Sequence, residues 1–135
     1  MPKGWRKAFG YQMCNEIKES LLRSGGKKAL KEYSILEIKE KFGGLCWYDS
    51  CSTIEVGKII SKYENISYHT CIVCGKPANV RTTGWICPYC NEHIPDYQPY
   101  VHFGHKNGMS WYGWTGNIDL IPQDEWEEEE KLLNI

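Results

Sequence analysis

The first third of the chain has the hydrophobic pattern of an amphipathic helix. Between residues 5 and 23, apolar side chains recur every four positions, and mainly polar residues fill the places between them. This spacing aligns the apolar positions along one helix face. They are Trp5, Phe9, Met13, Ile17 and Leu21. Gly25 and Gly26 follow, and glycine readily adopts the left-handed conformation that closes a helix, so the pattern predicts a helix end there and a short helical turn over 27–33.

The next part of the pattern predicts a β-hairpin and a second helix. Two short segments rich in apolar and aromatic residues lie on either side of Gly43 and Gly44, which is typical of a hairpin. The second helix is predicted to begin at Ser52, because its hydroxyl can cap the first turn while Glu55 completes a capping box. The apolar face of this helix consists of Val56, Ile59, Ile60 and Tyr63.

The pattern changes again beyond residue 94. Residues 95–114 combine prolines, glycines, histidines and large aromatic side chains without a helical or strand period. We expect irregular structure or short strands there, packed on the rest of the protein through the aromatic rings. Residues 117–122 are compatible with one more strand. The acidic run over 125–130 is expected to be a solvated helix or a tail.

Cysteines with metal-ligand spacing occupy residues 71–93. Cys71 and Cys74 are separated by two residues, as in a zinc knuckle, where a tight turn lets two thiolates bind one ion. A second half-site offers three candidate donors, of which a tetrahedral site needs only two. They are Cys87, Cys90 and His93. On spacing alone the Cys87/Cys90 pair is attractive, because Pro88 stands where knuckles often carry proline and four thiolates suit zinc. The segment predicts a structural Zn²⁺ site of the zinc-ribbon type.

Catalytic uses of these cysteines fit the sequence less well. A deaminase signature requires a His-x-Glu before its Pro-Cys-x-x-Cys, and only the fragment 88–90 resembles that pattern. The Cys-x-x-Cys of thioredoxin-like oxidoreductases begins a helix after a strand, a context that 87–90 does not have. Nucleophile elbows, phosphate-binding loops and kinase signatures are absent from the sequence. We therefore expect a protein that is not an enzyme.

Length and composition predict one compact unit of the α+β class. The chain has 135 residues, of which 41% are hydrophobic, and this suits one small domain with two helices, a short β-hairpin and a zinc ribbon. We divide this unit into a helix–hairpin–helix body over 1–68 and the zinc ribbon over 69–94. An aromatic C-terminal segment with an acidic end, residues 95–135, packs on the same unit.

Charge and cysteine content indicate which classes of partner and which cellular compartment to expect. The net charge is −1, so the composition gives no general positive face for nucleic acid. Seven cysteines without a leader-like start indicate reduced thiols and a cytoplasmic location. No apolar run approaches the roughly 18 residues of a membrane span, so no membrane partner is expected.

The aromatic residues offer candidate ligand contacts. The chain has six tryptophans and nine tyrosines, and several lie near glycines that let a flat ligand approach. Nearby basic side chains can contact phosphate or other polar groups. The candidate ligand-binding residues are Trp47, Trp85, Trp111, Trp114, Arg81 and His105. The alternative is that these rings form the core of a fold that has few aliphatic residues.

A set of motifs over about residues 4–93 resembles a known group of proteins. They are the Lys-Glu-Lys-Phe-Gly-Gly-Leu of 39–45, Trp47 and Tyr48, Cys71, Cys74 and the Gly-Lys-Pro of 75–77, Gly84 and Trp85, and Cys90 and His93. The segment is similar to small zinc-ribbon proteins of phages, prophages and their bacterial hosts, clostridia among them. The resemblance favours Cys90 with His93 as the second ligand pair and leaves Cys87 as the alternate fourth ligand. Such proteins often carry Arg where this chain has Cys46, so no role of that arginine is carried over.

The resemblance also gives a functional expectation, by analogy. Small phage proteins commonly bind a host defence protein or a nucleotide messenger that a defence system makes. We expect a zinc-stabilised, non-enzymatic binding protein of phage or prophage type that inhibits a host defence pathway through one of these partners, in the bacterial cytoplasm. The alternatives are a nucleic-acid-binding zinc-ribbon regulator and a small nucleotide-processing enzyme that uses His102, His105 or zinc. A homo-oligomer is compatible with each of these.

Overall fold

A computed structural model describes residues 1–96, 98–106 and 109–114, with the backbone alone beyond residue 102. The helical elements are α1 (Lys3–Trp5), a π-helical turn (Arg6–Gly10), α2 (Tyr11–Glu32) and α3 (Ile54–Ser67). The strands are β1 (Ser34–Lys41), β2 (Gly44–Ser50), β3 (Val80–Thr82), β4 (Pro88–Tyr89), β5 (Tyr100–Lys106) and β6 (Met109–Trp114). The predicted α+β class is confirmed. No helix in the described part of the chain combines the length and apolar character that a membrane span requires.

The predicted N-terminal helix is confirmed, and its apolar face forms the core. All five residues with the four-residue spacing are buried, and they pack with residues of β2 and α3. Gly26 has the left-handed φ of 67°, as expected of a helix-closing glycine, but helical structure resumes after it and continues to Glu32. Gly26 therefore separates two helical segments, as predicted, and the second, short segment follows at a kink within α2.

The predicted hairpin is also confirmed, with its turn one residue earlier than expected. β1 and β2 pair antiparallel, and Lys41 is opposite Gly44, so Phe42 and Gly43 are the two turn residues. Both have positive φ, 52° and 84°. Two positive φ values are typical of a type I′ turn, whose twist matches that of the flanking strands.

Helix α3 begins with a different cap from the one predicted. Thr53 has extended backbone angles, and its Oγ1 accepts a hydrogen bond from Val56 N–H at 3.1 Å. Ser52 is therefore not the cap, and Glu55 stands two residues after the cap instead of three, so the predicted capping box is wrong. The apolar face of α3 packs on α2 and β2, and its Tyr63 ring stacks on the Phe9 ring of the π-helical turn, with the ring centres 5.4 Å apart.

The cysteine-rich segment and the following segment share one sheet. Its strand order is β4-β3-β5-β6, and all the pairs are antiparallel. The C-terminal segment, expected to be irregular or short-stranded, therefore supplies two regular strands that extend the sheet from β3. The strand expected over 117–122 and the acidic run over 125–130 lie outside the described residues.

Candidate metal centre

Four side chains from the two predicted half-sites meet in the structure. The ligand atoms of Cys71, Cys74, Cys90 and His93 all lie within 4.8 Å of one another. Cys90 Sγ is 3.0 Å from His93 Nδ1, Cys74 Sγ is 3.6 Å from Cys90 Sγ, and Cys71 Sγ is 3.9 Å from His93 Nδ1. A tetrahedral site with metal–sulfur bonds of about 2.3 Å has edges of about 3.8 Å between its ligand atoms. The cluster is thus compatible with one structural metal ion.

The first half of the cluster is a tight turn built around a glycine. Cys71 N–H donates to Lys76 O at 2.7 Å, and Gly75 N–H donates to Cys71 O at 3.0 Å. Gly75 has a φ of 83°, and a Cβ there would lie 2.6 Å from Gly4 O. Only glycine fits this position without strain, and the turn it allows points Cys71 and Cys74 at the same site.

Backbone N–H groups point at two of the sulfurs. Cys74 accepts from Lys76 N–H and Cys90 accepts from Glu92 N–H, each two residues further along the chain. Burial raises the pKa of Cys74, but these N–H and thiol hydrogen bonds outweigh it and leave that pKa below its ordinary value. Burial, with smaller contributions from the neighbouring sulfurs, raises the pKa of Cys90 to about 11. The neighbouring sulfurs thus oppose ionisation of Cys90, and a cation at the cluster would favour its thiolate form.

Cys87, the alternate fourth ligand, lies outside the four-donor cluster. Its N–H donates to Thr82 Oγ1 at 2.9 Å, and Thr82 N–H donates to Cys87 O at 3.0 Å, which closes the turn between β3 and β4. The residue is only 3% exposed, and burial together with the Glu40 carboxylate raises the pKa of its thiol to about 11. The structure therefore packs this thiol against the β1–β2 hairpin, and the four-donor cluster contains Cys90 and His93.

The N-terminal helix docks directly on the first half of the cluster. Gly4 N–H donates to Ile72 O at 3.0 Å, and Trp5 Nε1 donates to Thr70 O at 3.0 Å. A Cβ on Gly4 would overlap the carbonyl oxygen of Cys71. The backbone of the cluster is thus in contact with the helical body, which ties the four donors to the main core.

The predicted ligand-binding residues divide into three groups. Trp47 is 6% exposed and belongs to the core, with its Nε1 donating to Tyr33 Oη at 2.9 Å, so it is not on a ligand-facing surface. Trp85 is 71% exposed on the turn between β3 and β4. Arg81 on β3 is half-buried. For the remaining three candidates, on β5 and β6, the structure describes the backbone alone. These are His105, Trp111 and Trp114.

The structure adds two aromatic residues that the sequence analysis did not select. The Arg81 guanidinium lies 5.0 Å from the centre of the Tyr68 ring, and its Nη2 donates to Phe42 O at 2.7 Å. Phe42 is 70% exposed at the hairpin tip. These side chains border an open cavity of about 680 Å³, which we call the aromatic cleft; its lining includes Phe42, Tyr68, Arg81, Thr83, Ile86 and Val101. The sequence could have indicated that Phe42 is exposed, because Phe42 directly precedes the Gly-Gly pair and a turn exposes its central residues.

Comparisons with protein-family models, with curated proteins and with solved structures give no match to this chain. The functional conclusion therefore rests on the four-donor cluster and the surface around it.

Proposed function

We propose that this protein is a zinc-stabilised binding protein without catalytic activity. The observation that carries the proposal is the close approach of three cysteine sulfurs and one histidine nitrogen. Three thiolates and an imidazole form a donor set that suits Zn²⁺, and four protein ligands fill its preferred tetrahedral shell. No coordination position is then left for water or substrate, which is the property of a structural site.

The chain between the two ligand pairs supports a zinc ribbon in particular. The pairs 71/74 and 90/93 are joined by the short antiparallel pair of β3 and β4. Each pair includes a sulfur that accepts a backbone N–H from two residues further on. Such N–H groups stabilise thiolates, and two turns of this kind facing one ion are what a zinc ribbon requires.

Binding is the role that the surface near this site supports. Phe42 and Trp85 are both more than two-thirds exposed, and large exposed rings next to a cation are typical of recognition surfaces. The resemblance to phage zinc-ribbon proteins supports a host partner, either a defence protein or a nucleotide messenger, met in the bacterial cytoplasm. Inhibition of a host defence pathway is the biological role we propose for that binding.

Metal analysis of matched cysteine variants tests the structural part of the proposal. Protein purified from a bacterial host is measured by native mass spectrometry, and its metal is identified by elemental analysis. We expect one zinc per chain in the wild type and loss of that zinc in Cys74→Ser. Cys87→Ser and the exposed Cys14→Ser are expected to retain it, because both residues lie outside the four-donor cluster.

The same spectra report a copurified partner. Zinc retained in Cys74→Ser contradicts the ligand set, most directly if Cys87→Ser loses it. A purified wild type that neither holds zinc nor takes up one equivalent of added Zn²⁺ contradicts the proposal as a whole. A small molecule that returns unchanged after denaturation supports binding, whereas a returned product contradicts the non-catalytic role.

A further inference from the structure

The aromatic cleft has the size and construction of a small-molecule site. Its volume of about 680 Å³ falls within the roughly 300–1,000 Å³ typical of such sites. Its walls come from separate chain segments: Phe42 from the hairpin tip, Tyr68 from the end of α3, Ile86 from the β3–β4 turn and Val101 from β5. Long-range folding therefore brings these rings and aliphatic groups to one place.

Neither the exposure of the Phe42 ring nor its backbone angle stabilises the protein without a ligand. The side chain is 70% exposed, and its φ of 52° lies in the left-handed region that side-chain-bearing residues rarely adopt. An exposed ring contributes little to folding, and the backbone angle opposes it. Their combination at the edge of a cavity indicates a functional reason for the ring, namely a flat surface for a ligand.

Arg81 gives the cleft its charge. Among the described residues that line the cleft it is the only charged one, and Thr82 and Thr83 are its hydroxyl-bearing neighbours. The guanidinium is positioned by the Phe42 carbonyl and the Tyr68 ring. A cation fixed beside aromatic rings complements a ligand that has both an anionic group and a planar ring.

We propose that the aromatic cleft binds a nucleotide, with the base against the Phe42 ring and a phosphate facing Arg81 and the exposed Thr83. Nucleotides combine a planar ring with an anionic group within the dimensions of this cavity. The inference rests on the proposed binding function and names its site and ligand class. Because Arg81 and Ile86 lie on the chain between the two ligand pairs, nucleotide binding also depends on the fold of the zinc module.

Calorimetric titration of the zinc-loaded full chain tests this site. The ligands are ATP, GTP, CTP and UTP. Adenosine and inorganic triphosphate are titrated as well, because they are the two parts of ATP. At least one nucleotide is expected to bind more tightly than either half, since the ring and the anion contact different walls. Raising the salt concentration is expected to weaken binding, because the anionic group pairs with a cation near the surface.

Substitutions at Thr83 and Phe42 provide matched variants. Thr83 is exposed, so Thr83→Lys and Thr83→Glu are expected to fold alike and to change affinity in opposite directions, by roughly fivefold each. Phe42→Asn removes the ring and keeps a residue that tolerates positive φ, and we expect it to weaken binding by roughly tenfold. Tyr11→Asn removes another exposed ring, from α2 and away from the cleft lining, and serves as the unchanged control.

Zinc content measured on the same samples separates the two proposals. Zinc-loaded protein that binds no nucleotide at about 1 mM, or binds it equally in both Thr83 variants, overturns the cleft assignment and leaves the zinc-stabilised binding protein intact. Inorganic triphosphate binding as tightly as the nucleotide also overturns it, because the ring then contributes nothing. If the protein neither holds zinc nor takes up added Zn²⁺, the proposed function fails, and the same titration of the folded protein as purified then decides the cleft.

Discussion

The guanidinium of Arg81 occupies the space that a side chain on Gly43 would need. Arg81 Nη2 lies 2.7 Å from the position that a Cβ on Gly43 would occupy, and the same nitrogen donates to the carbonyl of Phe42 at 2.7 Å. On the other side of the turn, a Cβ on Gly44 would overlap the Tyr68 ring. The two glycines therefore have different roles. Gly43 is a turn residue and leaves room for Arg81 of the cysteine-rich module, whereas Gly44 begins β2 and lets Tyr68, at the end of α3, pack against the hairpin backbone.

Gly44→Ala is expected to destabilise the protein by about 1–3 kcal/mol, because the added methyl group must displace a packed tyrosine ring. The measurement is the free energy of unfolding from denaturant titration of the zinc-loaded protein. Gly57→Ala is the control, since nothing lies within 4 Å of its added Cβ on α3. Alanine there is expected to raise stability by up to about 1 kcal/mol. Equal effects of the two substitutions contradict the packing role of Gly44.

Thr53→Ala is expected to lower the free energy of unfolding by about 1 kcal/mol, because the Val56 N–H loses its capping acceptor. Ser52→Ala should change it by less than about 0.5 kcal/mol, since Ser52 is exposed and does not cap the helix. Thermal unfolding followed by circular dichroism compares the two variants. A larger effect at Ser52 than at Thr53 favours the cap predicted from the sequence over the cap in the structure.

Local patterns were enough to predict the parts of the fold that depend on sequence neighbours. The four-residue spacing from Trp5 to Leu21 fixes which helix face is buried, and the glycine pair fixes the position of the hairpin to within one residue. The two-residue spacing of Cys71 and Cys74 likewise fixes a turn that presents both sulfurs on one side. Each of these features follows from backbone geometry over a few residues.

Other features depend on contacts between distant segments and were not decided by spacing. Cys87 and His93 both stand three residues from Cys90, and the difference arises because Thr82 binds the backbone of Cys87 and turns its thiol toward Glu40. Strand β5 lacks a clear alternation in sequence and forms by pairing with β3. Trp47 was a candidate for ligand contact, but its pairing opposite Ile38 places it against the core.

Tyr33→Phe is expected to destabilise the protein by about 1–3 kcal/mol. The Tyr33 hydroxyl donates to Asp49 Oδ2 at 2.7 Å and accepts from Trp47 Nε1 at 2.9 Å, so its removal leaves two polar groups without this partner. Denaturant titration compares it with Tyr11→Phe at an exposed position, which should have little effect. A loss no greater than in the control shows that the hydroxyl contributes nothing to folding.

The same hydroxyl predicts a dependence of stability on alkaline pH. Burial, and then the hydrogen bond to Asp49, raise the pKa of Tyr33 well above its ordinary value of 10.0. The unfolded chain therefore releases this proton from about pH 10 while the folded protein keeps it, so stability falls as the pH rises above 10. Below pH 10 this contribution is fully present. Unfolding free energies measured between pH 9 and 11 should fall less steeply in Tyr33→Phe than in the wild type, and identical slopes contradict the prediction.

Gly4→Ala is expected to weaken both the fold and the retention of metal, because the new methyl group overlaps Cys71 O and separates α1 from the first ligand pair. Stability should fall by about 1–3 kcal/mol, and zinc should be lost faster to excess EDTA, as followed with a colorimetric zinc indicator. Gly84→Ala is the control in the cysteine-rich module, since no atom lies within 4 Å of its Cβ. If Gly4→Ala is destabilised yet releases zinc at the wild-type rate, helix docking stabilises the fold without supporting the metal site. Faster release from Gly4→Ala alone establishes that the contact between helix and cluster couples folding of the body to metal binding.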